Sequence, residues 1–315
     1  MVSNAPPAQL SAEDRRGGAD RRTRPPRLSL VVPAYNEEGA IVETVETLAS
    51  VLEPIGDYLL IVVNDGSRDA TGDHLATLAE RFDRLLVVTH ERNLGYGAAL
   101  KTGIRRATSE FVAITDADGT YPNHRLPELL ELAESDNADM VVGARTLKDK
   151  VTYPLIRKIP KVFLVRWASW LSRQRIPDIN SGMRVFKRES VLRFFGVLPD
   201  TFSFTTTITI SMLTNRLNVK YVPIGYSARI GNSKIKPVRD TLRFVQLITR
   251  TGMYFAPLRV LAPVALVTFV LFAISLGFDV FYLRNLTDKT VLLLVAFTNT
   301  IMFALLADMI HRRNA

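Results

Sequence analysis

The chain has 315 residues, no cysteine and a formal net charge of +9 at pH 7. The absence of cysteine excludes disulfides and cysteine-ligated metal sites. The excess of basic residues favours an anionic partner, such as nucleic acid, a phospholipid surface or a phosphorylated substrate. A chain of this length holds one large domain with an appendage, or two domains.

Residues 1–27 are rich in Pro, Gly and Arg and contain little that is apolar, so we predict a disordered basic tail. Contact with anionic headgroups and simple solvation both fit such a tail, and solvation is the favoured interpretation. The tail lacks the apolar run of a secretory signal, so none is expected.

From residue 28 onward, apolar strands alternate with amphipathic helices. The predicted strands cover 28–32, 58–63, 85–89, 111–116 and 140–142, and the predicted helices cover 38–52, 71–81, 97–107 and a stretch after Pro122. Such alternation predicts an α/β domain with a Rossmann-like, mainly parallel sheet and helices on both faces. The pattern loosens beyond residue 150, and the domain is assigned to residues 28–236.

A short acidic signature follows the apolar run Phe111–Ile114, where Asp116 and Asp118 flank Ala117. Two carboxylates two residues apart at a strand end face the same way. Open α/β sheets bind ligands at the carboxyl ends of their strands. Paired oxygen ligands there suit Mg²⁺ or Mn²⁺ bridging to a diphosphate. A turn with two solvated aspartates explains the tripeptide equally well, so the surrounding motifs decide.

Further motifs fall at the carboxyl ends of successive predicted strands, at 33–38, 64–67, 93–97 and 116–118. In this order they resemble the GT-A fold of family 2 glycosyltransferases. Segments at 143–145, 178–184 and 226–234 resemble its polyprenyl-phosphate branch, which contains dolichyl-phosphate mannose synthase and bacterial undecaprenyl-phosphate sugar transferases. The resemblance covers roughly residues 28–250, and a two-helix C-terminal anchor also occurs in that branch.

The resemblance implies a site for a nucleotide diphosphate sugar. Its predicted residues are Pro33, Tyr35, Glu37, Val63, Asp65, Asp116, Ala117, Asp118 and Arg229. Asp65 would accept a hydrogen bond from the base, because uracil and guanine both present N–H donors. Asp116 and Asp118 would hold the metal, Mg²⁺ or Mn²⁺, on the donor diphosphate. Thr120 stands where some members carry Gln, which leaves the third protein ligand open.

The phosphate acceptor that the resemblance implies explains why a general base is absent. Transfer to a hydroxyl requires a general base, commonly a later carboxylate, and residues 202–207 contain no acid. A phosphate acceptor is already an anion, so catalysis can depend on alignment and charge neutralisation. The predicted catalytic residues are Asp118, Arg145 and Arg229, and the predicted lipid-phosphate ligands are Arg145, Arg157, Lys161, Ser233 and Lys234. A solvated helix face explains Arg157 and Lys161 equally well, and Asp178 is assigned a structural role.

Two uncharged runs lie near the C-terminus, 19 residues from Val260 to Phe278 and 18 from Thr290 to Ala307. Each approaches the length of about 20 residues that a helix needs to cross a bilayer. We predict a transmembrane hairpin at 253–310, with spans at about 258–280 and 290–308, after an amphipathic juxtamembrane helix at 237–252. Basic residues flank the outer ends of the spans, which places the main domain in the cytoplasm.

The sequence therefore predicts a multi-pass hexosyltransferase of the cell (inner) membrane. It would transfer a sugar from a UDP- or GDP-hexose to polyprenyl phosphate, with metal dependence and inversion at the sugar carbon. Its partners would be the nucleotide sugar, the lipid and the membrane, with a homo-oligomer possible and no nucleic acid. Two alternatives stay open, namely transfer to a glycan hydroxyl and a non-catalytic nucleotide-sugar-binding scaffold.

Overall fold

The computed structural model describes residues 25–147, 165–226 and 237–313, with side chains omitted for 237–244 and 311–313. Most of the predicted basic tail lies outside this part of the chain. Five predicted site residues also lie outside it, namely Arg157, Lys161, Arg229, Ser233 and Lys234.

The centre of the domain is a seven-stranded sheet. Its strands are β1 Leu28–Ala34, β2 Tyr58–Asn64, β3 Leu85–Thr89, β4 Phe111–Ile114, β5 Met140–Ala144, β6 Arg184–Lys187 and β7 Val219–Pro223. The strand order is β3-β2-β1-β4-β6-β5-β7, and only β6 runs antiparallel to its neighbours in this described sheet. The mainly parallel sheet confirms the predicted fold class, whereas the antiparallel β6 falls in the region where the sequence pattern loosens.

Ten α-helices accompany the sheet in the described part of the chain. They are α1 Ile41–Leu52, α2 Thr71–Arg81, α3 Tyr96–Arg106, α4 Leu126–Ser135, α5 165–172, α6 Arg188–Leu192, α7 Phe204–Thr214, α8 Pro237–Phe255, α9 Pro257–Phe278 and α10 Asp288–Arg313. Alternate residues of β1 enter opposite cores, because strand side chains alternate between faces. Leu30 and Val32 pack in one core with α1, and Val31 packs in the other with α3.

The first helix begins later than the predicted residue 38. The backbone N–H groups of Asn36, Glu37 and Glu38 donate to side chains of the segment that follows β2, at 2.9–3.2 Å. These bonds hold residues 36–40 as a loop, so α1 begins at Ile41. The start of the domain also extends one residue beyond the prediction, because the N–H of Arg27 donates to Asp57 O at 2.8 Å.

Two of the described helices are long and apolar enough to cross a membrane. They cover Pro257–Leu283 and Asp288–Ile310, with mean hydropathy values of 2.4 and 2.2. The first is attached to the domain by a third apolar core, in which Val260 of α9 and Ile248 of α8 pack with Leu171 of α5 and with α7. The two apolar helices therefore adjoin the α5 and α7 side of the domain.

Candidate active site

Asp116 and Asp118 leave the end of β4 as a half-buried pair. The Tyr96 hydroxyl donates to Asp116 Oδ1 at 2.9 Å. Thr120 donates to Asp118 Oδ1 from its hydroxyl at 2.7 Å and from its backbone N–H at 3.2 Å. Between them, the carbonyl of Ala117 accepts from the Thr44 hydroxyl at 2.8 Å. Both carboxylates are thus oriented by neighbours before any ligand binds.

The donor set of this pair fits a hard divalent cation, because both groups supply carboxylate oxygens. The described residues contain no group of three or more His, Asp or Glu side chains that could hold a metal. Mg²⁺ commonly takes one or two carboxylates and completes its shell with substrate phosphates and water. The Thr120 hydroxyl donates to Asp118 and orients it. Thr120 therefore supports the acidic pair.

Gly182 lies in the loop before β6, and its backbone is close to the carboxylate of Asp116. A Cβ at this position would lie 2.8 and 2.9 Å from the two carboxylate oxygens of Asp116. The N–H of Gly182 donates to the Tyr121 hydroxyl at 2.7 Å. The sequence placed Gly182 in the 178–184 segment but carried no signal of its contact with the acidic pair.

Two tyrosines beside the acidic pair stay protonated. Burial raises the pKa of Tyr96 well above its usual value of 10.0, and the charge of Asp116 raises it further. Burial and Asp116 also raise the pKa of Tyr121. Tyr96 can therefore act as a hydrogen-bond donor to Asp116 throughout the physiological range. Its ring stacks on Phe202, with centroids 5.1 Å apart.

Arg145 lies on the other side of Tyr121. Its Nε donates to Asp178 Oδ2 at 2.7 Å and its Nη2 donates to Asp178 Oδ1 at 3.0 Å. The guanidinium also stands over the Tyr226 ring, 5.2 Å from its centroid, and Tyr226 packs edge-on against Tyr121. The structure therefore places the predicted phosphate ligand in a fixed position near the acidic pair.

The Arg145–Asp178 pair is charged on both sides. Burial opposes ionisation of Asp178, but the hydrogen bonds and charge of Arg145 outweigh it and lower the pKa of Asp178. Burial likewise opposes the charge of Arg145, and Asp178 outweighs it and raises the Arg145 pKa. Asp178 thus has the structural role that the sequence predicts for it.

The predicted nucleotide residues lie at the adjoining ends of β1 and β2. Pro33 pairs in register with Val63, so the two segments are neighbours. Tyr35 is 41% exposed beyond the end of β1, and Glu37 is half-buried. The loops are locked together, because Asn36 Oδ1 accepts from the N–H of Arg68 at 2.9 Å.

The structure shows Asp65 supporting a neighbouring loop, and its predicted hydrogen bond to the base stays a prediction. Its carboxylate is buried, and Oδ1 accepts from the N–H of Leu94 at 2.9 Å while Oδ2 accepts from the N–H of Gly95 at 2.8 Å. His90 Nδ1 lies 2.7 Å from Asp65 Oδ1, and His90 Nε2 lies 3.0 Å from the Thr102 hydroxyl. Asp65 therefore holds the 93–95 loop in place.

A buried arginine supports the same region and was missed by the sequence reasoning. Arg184 is fully buried and donates to Ser181 O at 2.7 Å, Ile179 O at 2.9 Å and Thr209 Oγ1 at 2.6 Å. Burial lowers its pKa. These bonds fix the 179–182 loop that closes on Asp116. The available signal was an arginine beginning an apolar strand directly after the Ser181-Gly182 turn.

Comparison with known proteins identifies the family. The sequence pattern of glycosyl transferase family 2 matches residues 29–195, more than half of the chain. The chain belongs to glycosyl transferase family 2. It is 31% identical over 244 residues to the low-salt glycan biosynthesis hexosyltransferase Agl6 of Haloferax volcanii, covering 73% of this chain and 55% of that protein. It is 29% identical over 210 residues to the dolichyl-phosphate hexose transferase of the same organism, covering 67% of this chain and 87% of that protein.

Solved structures confirm the GT-A fold of this family 2 glycosyltransferase. One is glucosyl-3-phosphoglycerate synthase from Mycobacterium tuberculosis with Mn²⁺, UDP and glucosyl-3-phosphoglycerate, at a TM-score of 0.54 and 18% identity over 74% of this chain and 82% of the other. Another is the mannosyltransferase PcManGT from Pyrobaculum calidifontis with GDP-Man and Mn²⁺, at a TM-score of 0.50 and 20% identity over 89% and 88%.

The first turn of α7 carries hydroxyl groups and no acidic side chain. The first turn of α7 bears Thr205, Thr206 and Thr207, all buried. The Thr206 hydroxyl donates to Asn180 Oδ1, and the Thr207 hydroxyl is buried without a hydrogen-bond partner in the described structure. The turn therefore supplies no general base for a hydroxyl acceptor.

Proposed function

We propose that this enzyme transfers a hexose from a nucleotide diphosphate sugar to the phosphate of a polyprenyl phosphate. The carrying observation is the arrangement at one edge of the sheet, where contacts through Gly182, Tyr121 and Tyr226 connect the Asp116/Asp118 pair to a fixed Arg145. The relative named dolichyl-phosphate hexose transferase supports this class of acceptor.

The donor would bind at the ends of β1, β2 and β4. Asp116 and Asp118 would hold Mg²⁺ or Mn²⁺, which when bound would neutralise charge on the donor diphosphate. The two structural neighbours contain Mn²⁺ with UDP or with GDP-mannose, and this supports a nucleotide diphosphate sugar without selecting the base. Tyr35 and Pro33 are exposed or half-buried where a nucleoside would lie.

The chemistry would be a single displacement. An oxygen of the lipid phosphate attacks C1 of the sugar, and the bond from C1 to the diphosphate oxygen breaks with its electron pair leaving on that oxygen. No proton has to be removed from the acceptor, which fits the absence of an acid on the first turn of α7. Arg145 stays charged and orients the acceptor phosphate. A product with inverted anomeric configuration is expected, and proton NMR of the released sugar phosphate checks it.

The C-terminal helices would bring the acceptor to the site. α9 and α10 would cross the membrane as a hairpin, with the domain on the cytoplasmic side, and the lipid phosphate would reach Arg145 along the membrane surface. The predicted ligands of the lipid phosphate remain Arg157, Lys161, Ser233 and Lys234, and Arg229 remains a predicted residue of the nucleotide-sugar site.

A donor and acceptor screen tests the proposal. The detergent-purified full chain is incubated with Mg²⁺ and radiolabelled UDP- or GDP-hexoses, with and without undecaprenyl phosphate. We expect label in the organic phase that depends on the lipid and is lost in EDTA. Binding of the nucleotide without lipid-linked label for any donor would overturn the proposed reaction.

A further inference from the structure

Three arginines from separate elements converge where the domain meets the first apolar helix. Arg173 follows α5, Arg216 follows α7, and Arg259 lies in the first turn of α9. Arg173 and Arg216 are exposed. The three arginines lie close together because Leu171, Leu213 and Val260, each within three residues of one of them, pack in one apolar core. The Arg259 guanidinium is held in place by a hydrogen bond to the carbonyl of Leu171.

The cluster has no carboxylate to balance it among the described residues. The ion pairs of the described structure involve none of these three arginines. Three like charges in one place repel each other, and a bound anion would relieve that repulsion. A guanidinium favours phosphate in particular, because its N–H groups match two phosphate oxygens.

The position of the cluster identifies the source of the phosphate. Arg259 begins the first apolar helix, so it lies at headgroup level when that helix spans a membrane. Trp170 is 45% exposed one turn before Arg173, and Tyr254 is 55% exposed just before α9. Exposed Trp and Tyr beside a span are typical of the membrane interface.

We propose that Arg173, Arg216 and Arg259 bind the headgroup phosphate of an anionic phospholipid in the surrounding leaflet. The proposal rests on the proposed membrane arrangement of α9 and concerns a different set of residues from the Asp116/Asp118 edge. α5 and α7 share an apolar core with α8 and α9. Headgroup binding would therefore hold the acceptor side of the domain, including the first turn of α7, against the bilayer.

The tryptophans of the chain provide a local probe. The sequence has two, Trp167 and Trp170, whose rings stack with centroids 5.4 Å apart close to Arg173. The full chain is reconstituted into vesicles of phosphatidylcholine and phosphatidylglycerol at a constant ratio. In one preparation the phosphatidylglycerol carries bromine, and in the other an equal mole fraction of the phosphatidylcholine carries it. We expect brominated phosphatidylglycerol to quench the tryptophans more strongly than brominated phosphatidylcholine does.

Variants assign the preference to the arginines. A basic side chain near an anionic membrane contributes about a fivefold gain in affinity. In a second series the fraction of brominated phosphatidylglycerol is varied, and R173Q or R216Q should raise the fraction needed for half-maximal quenching about fivefold. Both side chains are exposed, so neither substitution removes packing from a core. R106Q, an exposed arginine at the end of α3, is the matched control and should leave the quenching curve unchanged.

Three other results would overturn the proposal, and each has a different meaning. Equal quenching by the two lipids would place the tryptophans at the bilayer and remove the headgroup site, leaving the proposed transferase function intact. No quenching by either lipid would overturn the site together with the interfacial position of α5. Relief of quenching by stoichiometric undecaprenyl phosphate would reassign the cluster to the acceptor lipid.

Discussion

Asp116 is oriented by two groups that come from distant parts of the chain. The Tyr96 hydroxyl donates to its Oδ1, and the backbone of Gly182 approaches both of its oxygens. Such outer partners fix the direction of a metal-binding carboxylate, and their loss commonly weakens metal binding 10–100-fold, roughly.

Tyr96→Phe tests the first of these partners. The substitution keeps the ring that stacks on Phe202 and removes the donor to Asp116. We expect about a tenfold or greater loss of Mn²⁺ affinity in the presence of a nucleoside diphosphate, measured by electron paramagnetic resonance. Tyr282→Phe, at an exposed tyrosine between the apolar helices, serves as the control. Equal Mn²⁺ affinity in the two variants would remove Tyr96 from the support of the site.

Gly182→Ala tests the second partner. The added methyl carbon would meet the Asp116 carboxylate at 2.8–3.0 Å, so the carboxylate or the loop must shift. A shift of about 1 Å in an active-site group can reduce turnover about 100-fold. Gly196→Ala is the matched control, because nothing lies within 4 Å of its added carbon. Transfer rates at saturating donor distinguish the two, and unchanged turnover in Gly182→Ala would contradict the described geometry.

The Arg145–Asp178 pair predicts a pH dependence of stability. The folded pKa of Asp178 lies below its usual value of 3.8, so its contribution is complete above that value and is lost as pH falls through the folded pKa. Asp178→Asn leaves Arg145 half-buried without its partner and should cost about 3–5 kcal/mol near neutral pH. Thermal unfolding of the wild type and of Asp178→Asn is measured between about pH 7 and pH 3. The gap between their free energies of unfolding should narrow at the acid end. A gap that stays constant with pH would contradict an ionised Asp178.

At the scale of elements, the 93–97 loop depends on a single buried carboxylate. Asp65 accepts from two successive backbone N–H groups of the loop and contacts His90. The loop in turn packs against the backbone of residues 199–201, and Gly95 adopts a φ of +105°, which a side chain would strain. Asp65 therefore joins β2, the loop and the segment before α7.

Asp65→Asn should loosen this loop. The side-chain amide group of the asparagine would face one of the two backbone N–H groups that now donate to the carboxylate. Two donors would then face each other, so repulsion would replace one hydrogen bond. We expect the KM for the donor sugar to rise about tenfold while the chain stays folded. Asp83→Asn, at an exposed turn aspartate, is the control and should leave the KM unchanged. A KM for Asp65→Asn equal to that of the control would exclude a positioning role for Asp65.

Local patterns predict the elements well and their contacts poorly. Helix α2 and strand β3 have the predicted bounds, because apolar periodicity and polar turns mark both ends. The start of α1 was misplaced because side chains more than 30 residues away bind the N–H groups of residues 36–38. The support that Asp65 gives to the 93–95 loop was missed for the same reason, since the groups that it binds belong to another loop.

At the scale of the whole molecule, the apolar helices are part of the domain's architecture. Val260 and Ile248 share a core with α5 and α7, and Arg259 bonds to Leu171. The sequence predicted the hairpin from length and hydropathy alone, and it held no information about where the hairpin docks. This docking places the first apolar helix against the part of α7 that bears Ile210 and Leu213.

The central claim is that the site at the Asp116/Asp118 edge of the sheet transfers one hexose to polyprenyl phosphate. Mass spectrometry of the lipid product tests it most directly, with the full chain, Mg²⁺, undecaprenyl phosphate and the donor that labels the organic phase. We predict undecaprenyl phosphate carrying one added hexosyl unit, formed by the wild type and by Asp83→Asn but lost in Asp116→Asn. A sugar attached to a hydroxyl acceptor, or an equal yield from Asp116→Asn, would contradict the claim.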